Sequence, residues 1–230
     1  MLARLQKETS HFLADWQVGF QQKRGCRDNV LVLRTLFDEV LRRHDNMCVS
    51  FIDYSAAFDS LSHKFIDIVL TKTKATNKTR AMYRAIYGSA TARTTVEGID
   101  GKIEVSEAFP INRGVVQGDI TSPWYFIIAL ELILRTHDTH TDKGVPFGGT
   151  TIHTLGYADD AALVDTNIDI ATARVTSISK GSKADADMSI NVSKTEVMQV
   201  ELQNKVTYRY TTTAEALKVC KFKCKMSAAT

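Results

Sequence analysis

Two apolar segments that end in acid constrain this chain more than anything else in its sequence. Cys48-Val49-Ser50-Phe51-Ile52 runs straight into Asp53. Much later, Thr150 to Leu155 and Ala161 to Asp165 flank a tight connection, Tyr157-Ala158-Asp159-Asp160. A strand end on a rigid scaffold is where side chains are presented to a ligand. Three carboxylates gathered there repel one another, which a fold tolerates mainly when the group serves cations. Magnesium takes oxygen ligands and keeps open positions for water and phosphate, so such a group suits phosphoryl transfer with two metal ions. An Asp-Asp pair in a hairpin is more often a turn with solvated acids, so its weight depends on the sequence around it.

That surrounding sequence interleaves helices with strands. Val30, Leu33, Leu36, Phe37, Val40 and Leu41 recur at helical spacing behind Asp28, which is read as the N-cap. Met47 to Asp53 reads as a short buried strand, Ser62 to Leu70 as a helix, and Asn77 to Tyr87 as a helix stopped by Gly88. Thr91 to Glu97 and Lys102 to Phe109 look like a hairpin around Gly98-Ile99-Asp100-Gly101. Ser122-Pro123 opens an apolar helix that ends near Arg135, Asp138 to Gly149 reads as a surface loop, Ile168 to Lys180 as helical, and Met188 to Val200 as two short strands. Without a strict βαβ repeat, the fold class is α+β rather than a doubly wound sheet.

Composition narrows the setting. With 230 residues and 44% hydrophobic content the chain can bury a sizeable core, and a net charge of +3 neither identifies nor excludes a nucleic-acid binder. Cys26, Cys48, Cys220 and Cys224 follow no secreted disulfide spacing, and the N-terminus carries no signal pattern, so an intracellular, reduced protein is expected. No apolar run approaches bilayer length; Trp124 to Leu134 is broken by Glu131. Cys220-Lys221-Phe222-Lys223-Cys224 has no His pair after it, so zinc is not expected there.

Phe51-Ile52-Asp53-Tyr54-Ser55-Ala56-Ala57-Phe58-Asp59, followed by Ser62-His63, resembles the first catalytic motif of reverse transcriptases, most closely those of non-LTR, LINE-type retrotransposons. Arg113-Gly114-Val115-Val116-Gln117-Gly118-Asp119, then Ser122-Pro123, is similar to their nucleotide-pocket motif, and Tyr157-Ala158-Asp159-Asp160 to the third. Asn191-Val192-Ser193-Lys194-Thr195 resembles a fourth, and Gly19-Phe20 with Arg24-Gly25-Cys26-Arg27-Asp28-Asn29 the fingers segment upstream. The resemblance covers roughly Gln17 to Val200, with five motifs in the family's order.

The resemblance implies a right-hand polymerase palm, an antiparallel sheet with helices packed on one face. Asp53 and Asp159 would bind two Mg2+ ions (or Mn2+) with help from Asp160, and the backbone carbonyl of Tyr54 would complete a site. It makes Phe58 the ring that closes the sugar pocket against a 2′-hydroxyl, against core packing as the alternative. Gln117 would contact the nucleotide's sugar, Gly118 would let backbone approach closely, and Lys194 would protonate pyrophosphate unless it is simply solvated. Arg24 and Arg27 would grip template or triphosphate, or else be helix-flanking surface residues. Asp59 reads as a helix-entry acid and Asp119 as structural.

The expected partners are an RNA template, a DNA primer and deoxynucleotides, with no membrane. The expected layout is partial fingers over 1–46, a palm over 47–200 with a fingers-like insertion around 71–112, and a poorly ordered extension over 201–230 in place of a thumb. The rival readings are an inactive remnant that only binds nucleic acid, and an RNA-templated RNA polymerase, against which the bulk of Phe58 speaks.

Overall fold

The computed structural model describes residues 1–98, 101–138, 144–203 and 205–212, with side chains described through residue 200. Ile99 and Asp100 of the expected hairpin turn, residues 139–143 of the expected surface loop, and Cys220 and Cys224 lie outside the described residues. In chain order the elements are α1 (Leu2–Thr9), a 3-10 turn (Ser10–Phe12), α2 (Cys26–Arg43), β1 (Met47–Ile52), β2 (Tyr54–Ser55), α3 (Ala57–Ser60), α4 (His63–Lys72) and α5 (Asn77–Tyr87). The short strands β3 (Thr91–Ala92), β4 (Thr95–Glu97), β5 (Ile103–Val105) and β6 (Phe109–Pro110) follow, then α6 (Ser122–His137). The chain continues through β7 (Val145–Phe147), β8 (Thr150–Ile152), β9 (Thr154–Tyr157), β10 (Asp160–Asp165), α7 (Ile168–Ala186), β11 (Ser189–Ile190), β12 (Glu196–Gln203) and β13 (Lys205–Thr212).

The main sheet has the order β13-β12-β1-β10-β9, every pair antiparallel. β1 lies at its centre, and Met47, Cys48, Val49 and Ser50 are all fully buried. The strand reads as a continuous apolar run because both of its faces are covered. Met47 and Val49 face Leu36 and Val40 of α2 together with Val164, Met198 and Val200. On the other face Cys48 meets Ala171 of α7, while Ile52, Ala161 and Leu163 join the large cluster built on α4, α6 and α7. The expectation of helices on one face therefore describes α6 and α7, and α2 adds a helix on the opposite face. Burying a Val or Met side chain contributes about 1.5–3 kcal/mol, so the two faces together make β1 the anchor of the sheet.

α6 is apolar nearly all round, as a fully buried helix must be, with Tyr125 to Leu130 inaccessible to solvent. Its indole at Trp124 donates to Thr9 Oγ1 at 2.8 Å, which seats α1 on the core. Asp28 is not the N-cap of α2 but lies inside its first turn, where Oδ2 accepts from the Gly25 N–H at 3.0 Å and its charge suits the helix N-terminus. The expected hairpin after α5 is two short ladders, β3 with β6 and β4 with β5. β12 runs to Gln203 and pairs with β13, so the sheet extends into the segment read from sequence as an extension.

Arg174 of α7, wholly buried, ties this arrangement together. Its Nε and Nη2 donate to both carboxylate oxygens of Asp138 at 2.9 and 2.6 Å, and Nη1 donates to Asp165 Oδ1 at 2.7 Å. Further bonds to the carbonyls of Val164 (3.2 Å) and His153 (3.0 Å) join α7 to β10 and to the connection before β9. Removing one member of a buried ion pair leaves a charge without compensation, at about 3–5 kcal/mol. Arg174→Met should thus lower the unfolding free energy by about that amount, and adding Asp165→Asn should restore part of it. Denaturant titration checks this; a loss under about 1 kcal/mol would mean that the hub contributes little.

Candidate active site

The sheet register brings the acids together. β1 and β10 pair antiparallel with Ile52 opposite Ala161, so the next step of the same register sets Asp53 across from Asp160. Asp160 in turn pairs with Tyr157, which leaves Ala158 and Asp159 as a two-residue turn between β9 and β10. Desolvation by the surrounding protein, with the charges of Asp159 and then Asp53 added to it, raises the Asp160 carboxyl above the ordinary Asp value. Asp53 and Asp159 are half-buried and Asp160 is exposed. Among the described residues no three His, Cys, Asp or Glu side chains form a group that could hold a metal ion. The three acids are gathered by backbone and coupled by charge, but their side chains do not close into a ligand shell. Their oxygen donors suit a hard cation, which fits magnesium in chemistry though not yet in geometry.

The segment resembling the fourth motif wraps the backbone of Asp53. The Asn191 N–H donates to the Asp53 carbonyl at 2.7 Å, and Thr195 Oγ1 accepts from the Asp53 N–H at 3.3 Å while donating to the Asn191 carbonyl at 2.9 Å. Lys194 is exposed on this same loop. Tyr54 turns the other way: its ring is buried, its hydroxyl lies 3.0 Å from Ser182 Oγ, and burial pushes its pKa up to about 12. That side chain is structural.

The nucleotide-pocket segment docks on the first motif through main-chain bonds. The Val115 N–H donates to the Phe58 carbonyl at 2.9 Å and the Gly114 N–H to the Leu61 carbonyl at 2.8 Å. Within the chain, backbone packs closely at Gly114, where a Cβ would stand 2.9 Å from the Asp59 carbonyl oxygen. Gly118 has open space around it, and what demands glycine there is its φ of +91°. Gln117 is exposed beside it. Asp119 is structural: Oδ1 accepts from the Thr121 N–H at 3.0 Å and Oδ2 from the Thr121 hydroxyl at 2.7 Å. The half-buried Phe58 stacks on Phe126 of α6, with ring centroids 4.5 Å apart, so packing and an exposed edge coexist in one side chain.

Arg24 bonds within its own segment. Its Nη2 donates to the Asp15 carbonyl at 2.6 Å, with the Asp15 carboxylate 3.7 Å from Nη1, so a role on phosphate would require it to leave that partner. Arg27 is exposed in the first turn of α2.

Three side chains at the site had gone unassigned in the sequence. Gln17 is fully buried against the Ala158 backbone, Asn29 donates to the Gly156 carbonyl at 2.9 Å, and Thr195 holds Asp53. An uncharged polar residue with a local role leaves no period or charge pattern, and only Gly19, two residues after Gln17, and Gly156 in β9 hint at close packing. Phe20 and Tyr157 form an exposed aromatic pair flanking the acidic turn, ring centroids 6.2 Å apart.

The sequence model of the family described as reverse transcriptase (RNA-dependent DNA polymerase) matches residues 1–215. The chain is 34% identical over 156 residues to the retrovirus-related Pol polyprotein from the type-2 retrotransposable element R2DM of Drosophila melanogaster, an overlap of 64% of this chain and 13% of that protein. It is 26% identical over 182 residues to the Pol polyprotein from a type-1 retrotransposable element R2 of Popillia japonica, covering 77% of this chain and 25% of the relative. The chain thus spans an eighth to a quarter of the curated relatives it matches. In fold it is similar to apo telomerase from Candida tropicalis truncated from its C-terminal domain, with a TM-score of 0.61, 13% identity, and coverage of 91% of this chain and 43% of that one. Among the described residues no helix is long and apolar enough to cross a membrane.

The raised pKa of Asp160 has a sign. The folded state holds this proton more tightly than the unfolded chain, so metal-free stability falls as pH rises from the ordinary Asp value through the folded one. Asp160→Asn removes that term. In chelator its melting midpoint at neutral pH should exceed that of the wild type, and its fall across the acid range should flatten. Calorimetry giving an equal or lower midpoint would show that the three acids do not share one electrostatic site.

Proposed function

The chain belongs to the reverse transcriptase family, and from that premise we propose that it adds deoxynucleotides to a primer 3′-hydroxyl on an RNA template. The observation that carries this reading is the β1–β10 register, which sets Asp53 beside the Asp159-Asp160 turn and couples the three charges. In this reading Asp53, Asp159, Asp160 and the Tyr54 carbonyl would hold two divalent ions, magnesium by preference, and the ions would supply activation of the primer hydroxyl and charge neutralisation at the pyrophosphate.

The chain's own groups do the rest. Lys194, carried on the loop that binds the Asp53 backbone, donates a proton to the departing pyrophosphate. Gln117 contacts the sugar at a turn whose conformation depends on Gly118. Phe58, braced on Phe126, excludes the 2′-hydroxyl. The Phe20–Tyr157 pair offers an aromatic surface on which a terminal base can stack. Residues 1–46 serve as fingers and 47–200 as the palm.

Primer extension on an RNA template with magnesium and deoxynucleotides tests the reading. Asp159→Asn should abolish incorporation while leaving primer-template binding intact. Phe58→Val should raise the use of ribonucleotides relative to deoxynucleotides by about tenfold or more, a change of roughly 1.4 kcal/mol in discrimination. An equal loss for both sugars would make Phe58 a packing residue. Retained binding without any incorporation by the wild type would instead favour a chain that only binds nucleic acid.

A further inference from the structure

The acidic turn is held in a backbone conformation that its own sequence disfavours. Its first residue, Ala158, has φ +57°, where an L-residue with a Cβ costs about 1–2 kcal/mol, and glycine is the usual occupant of a first turn position with positive φ. A non-glycine residue stays there only when its surroundings over-determine it. Gln17 supplies that constraint from far away in the chain. Its Oε1 accepts from the Ala158 N–H at 2.9 Å, and its Nε2 donates to the Ala158 carbonyl at 3.2 Å, so one side-chain amide holds both main-chain groups of the residue before Asp159. Oε1 also accepts from the Gly19 N–H at 2.9 Å, which fixes the amide's own orientation.

The backbone around Gln17 is built for this contact. The Val18 N–H donates to the Gly156 carbonyl at 2.9 Å and the Gly156 N–H to the Trp16 carbonyl at 3.0 Å, which lays Trp16 to Val18 along the open edge of β9 as a parallel bridge. Two glycines permit the approach. A Cβ at Gly19 would stand 2.4 Å from the Ala158 nitrogen, and one at Gly156 would stand 2.6 Å from the Trp16 ring. Gln17 itself is 0% exposed. A buried amide whose acceptor and donor bind the N–H and the carbonyl of one residue fixes the two peptide units on either side of it, and a buried half-satisfied amide would cost about 1–3 kcal/mol.

We propose that Gln17 is a positioning residue for nucleotidyl transfer: it clamps the two peptide units that flank the Ala158 Cα and thereby fixes the direction in which the Asp159 carboxylate leaves the turn. The inference rests on the polymerase reading above but goes beyond it, since the resemblance gives Gln17 no role. Gln17 touches neither substrate nor metal in this account and acts only through the turn. Productive geometry has to be held within about 0.5 Å, and a short hairpin turn with an alanine in the left-handed region does not achieve that unaided.

The test compares Gln17→Met, which keeps length and burial but loses the bonds to Ala158, with Asn29→Ala, which loses a tie to the neighbouring Gly156 carbonyl and none to the turn. Exchange of the Ala158 amide hydrogen, followed by NMR on the metal-free chain, should accelerate at least about tenfold in Gln17→Met relative to Asn29→Ala, in excess of any difference in their global stability. In primer extension, with the folded fraction of each protein measured, kcat should fall at least about tenfold in Gln17→Met, with KM for the deoxynucleotide within about twofold. Gln17→Glu, which restores the acceptor alone, should recover only part of the exchange protection. Equal effects of Gln17→Met and Asn29→Ala on exchange and on kcat would overturn the proposal, leaving Gln17 as packing. Should the wild type prove inactive, the polymerase reading fails separately, and unaltered Ala158 exchange in Gln17→Met would still overturn the clamp.

Discussion

The antiparallel pairing of β1 with β10 is the constraint on which the rest depends. β1 is central in the sheet and buried on both faces, so its register cannot shift without moving Met47 and Val49 out of one cluster and Cys48 out of another. A slip of a single residue would exchange the two faces. The same register that satisfies these side chains ends with Ile52 opposite Ala161. The acids therefore meet because the apolar residues behind them have only one good alignment, and the position of the site is a by-product of how the core packs.

That meeting has a cost, and much of the polar structure near the sheet offsets it. Charge on Asp53 and Asp159 disfavours charge on Asp160. Both acidic segments also hold an alanine in the left-handed region, Ala56 at φ +47° and Ala158 at φ +57°. Against this stand bonds that act on the backbone more than on the carboxylates: Asn191 and Thr195 on Asp53, Gln17 on Ala158, and Asn29 on Gly156. Farther back, Arg174 binds Asp138, Asp165 and two carbonyls in the interior, fastening α7 to the strands it covers. The scaffold immobilises the peptides that carry the carboxylates. Local strain and like charge at a functional site are the general form of such a compromise between stability and activity.

Some departures from the sequence reading share one origin, which is that neighbours in space reassign a residue's role. Asp28 looks like a helix cap because acids commonly are, yet Gly25 begins the helix and Asp28 reaches back from its first turn. Gly118 sits in open space at φ +91°, and Gly114 is the glycine that lies against Asp59. Arg24, read either as a grip on phosphate or as a surface residue beside the helix, bonds Asp15.

By itself the sequence determined the elements and the family. The apolar run of β1, the amphipathic α2, the all-apolar α6 and the Tyr-Ala-Asp-Asp turn are local patterns, and the ordered motifs around them are enough to identify the family. Tertiary structure alone decided which faces are covered, since α2 packs opposite α6 and α7 for reasons of side-chain fit across distant segments. It alone decided that Gln17, 141 residues away in sequence, holds the Ala158 peptide. A hydrogen bond between an uncharged side chain and a remote backbone leaves no periodicity, charge pattern or turn signal in the chain, so nothing short of the folded arrangement could reveal it.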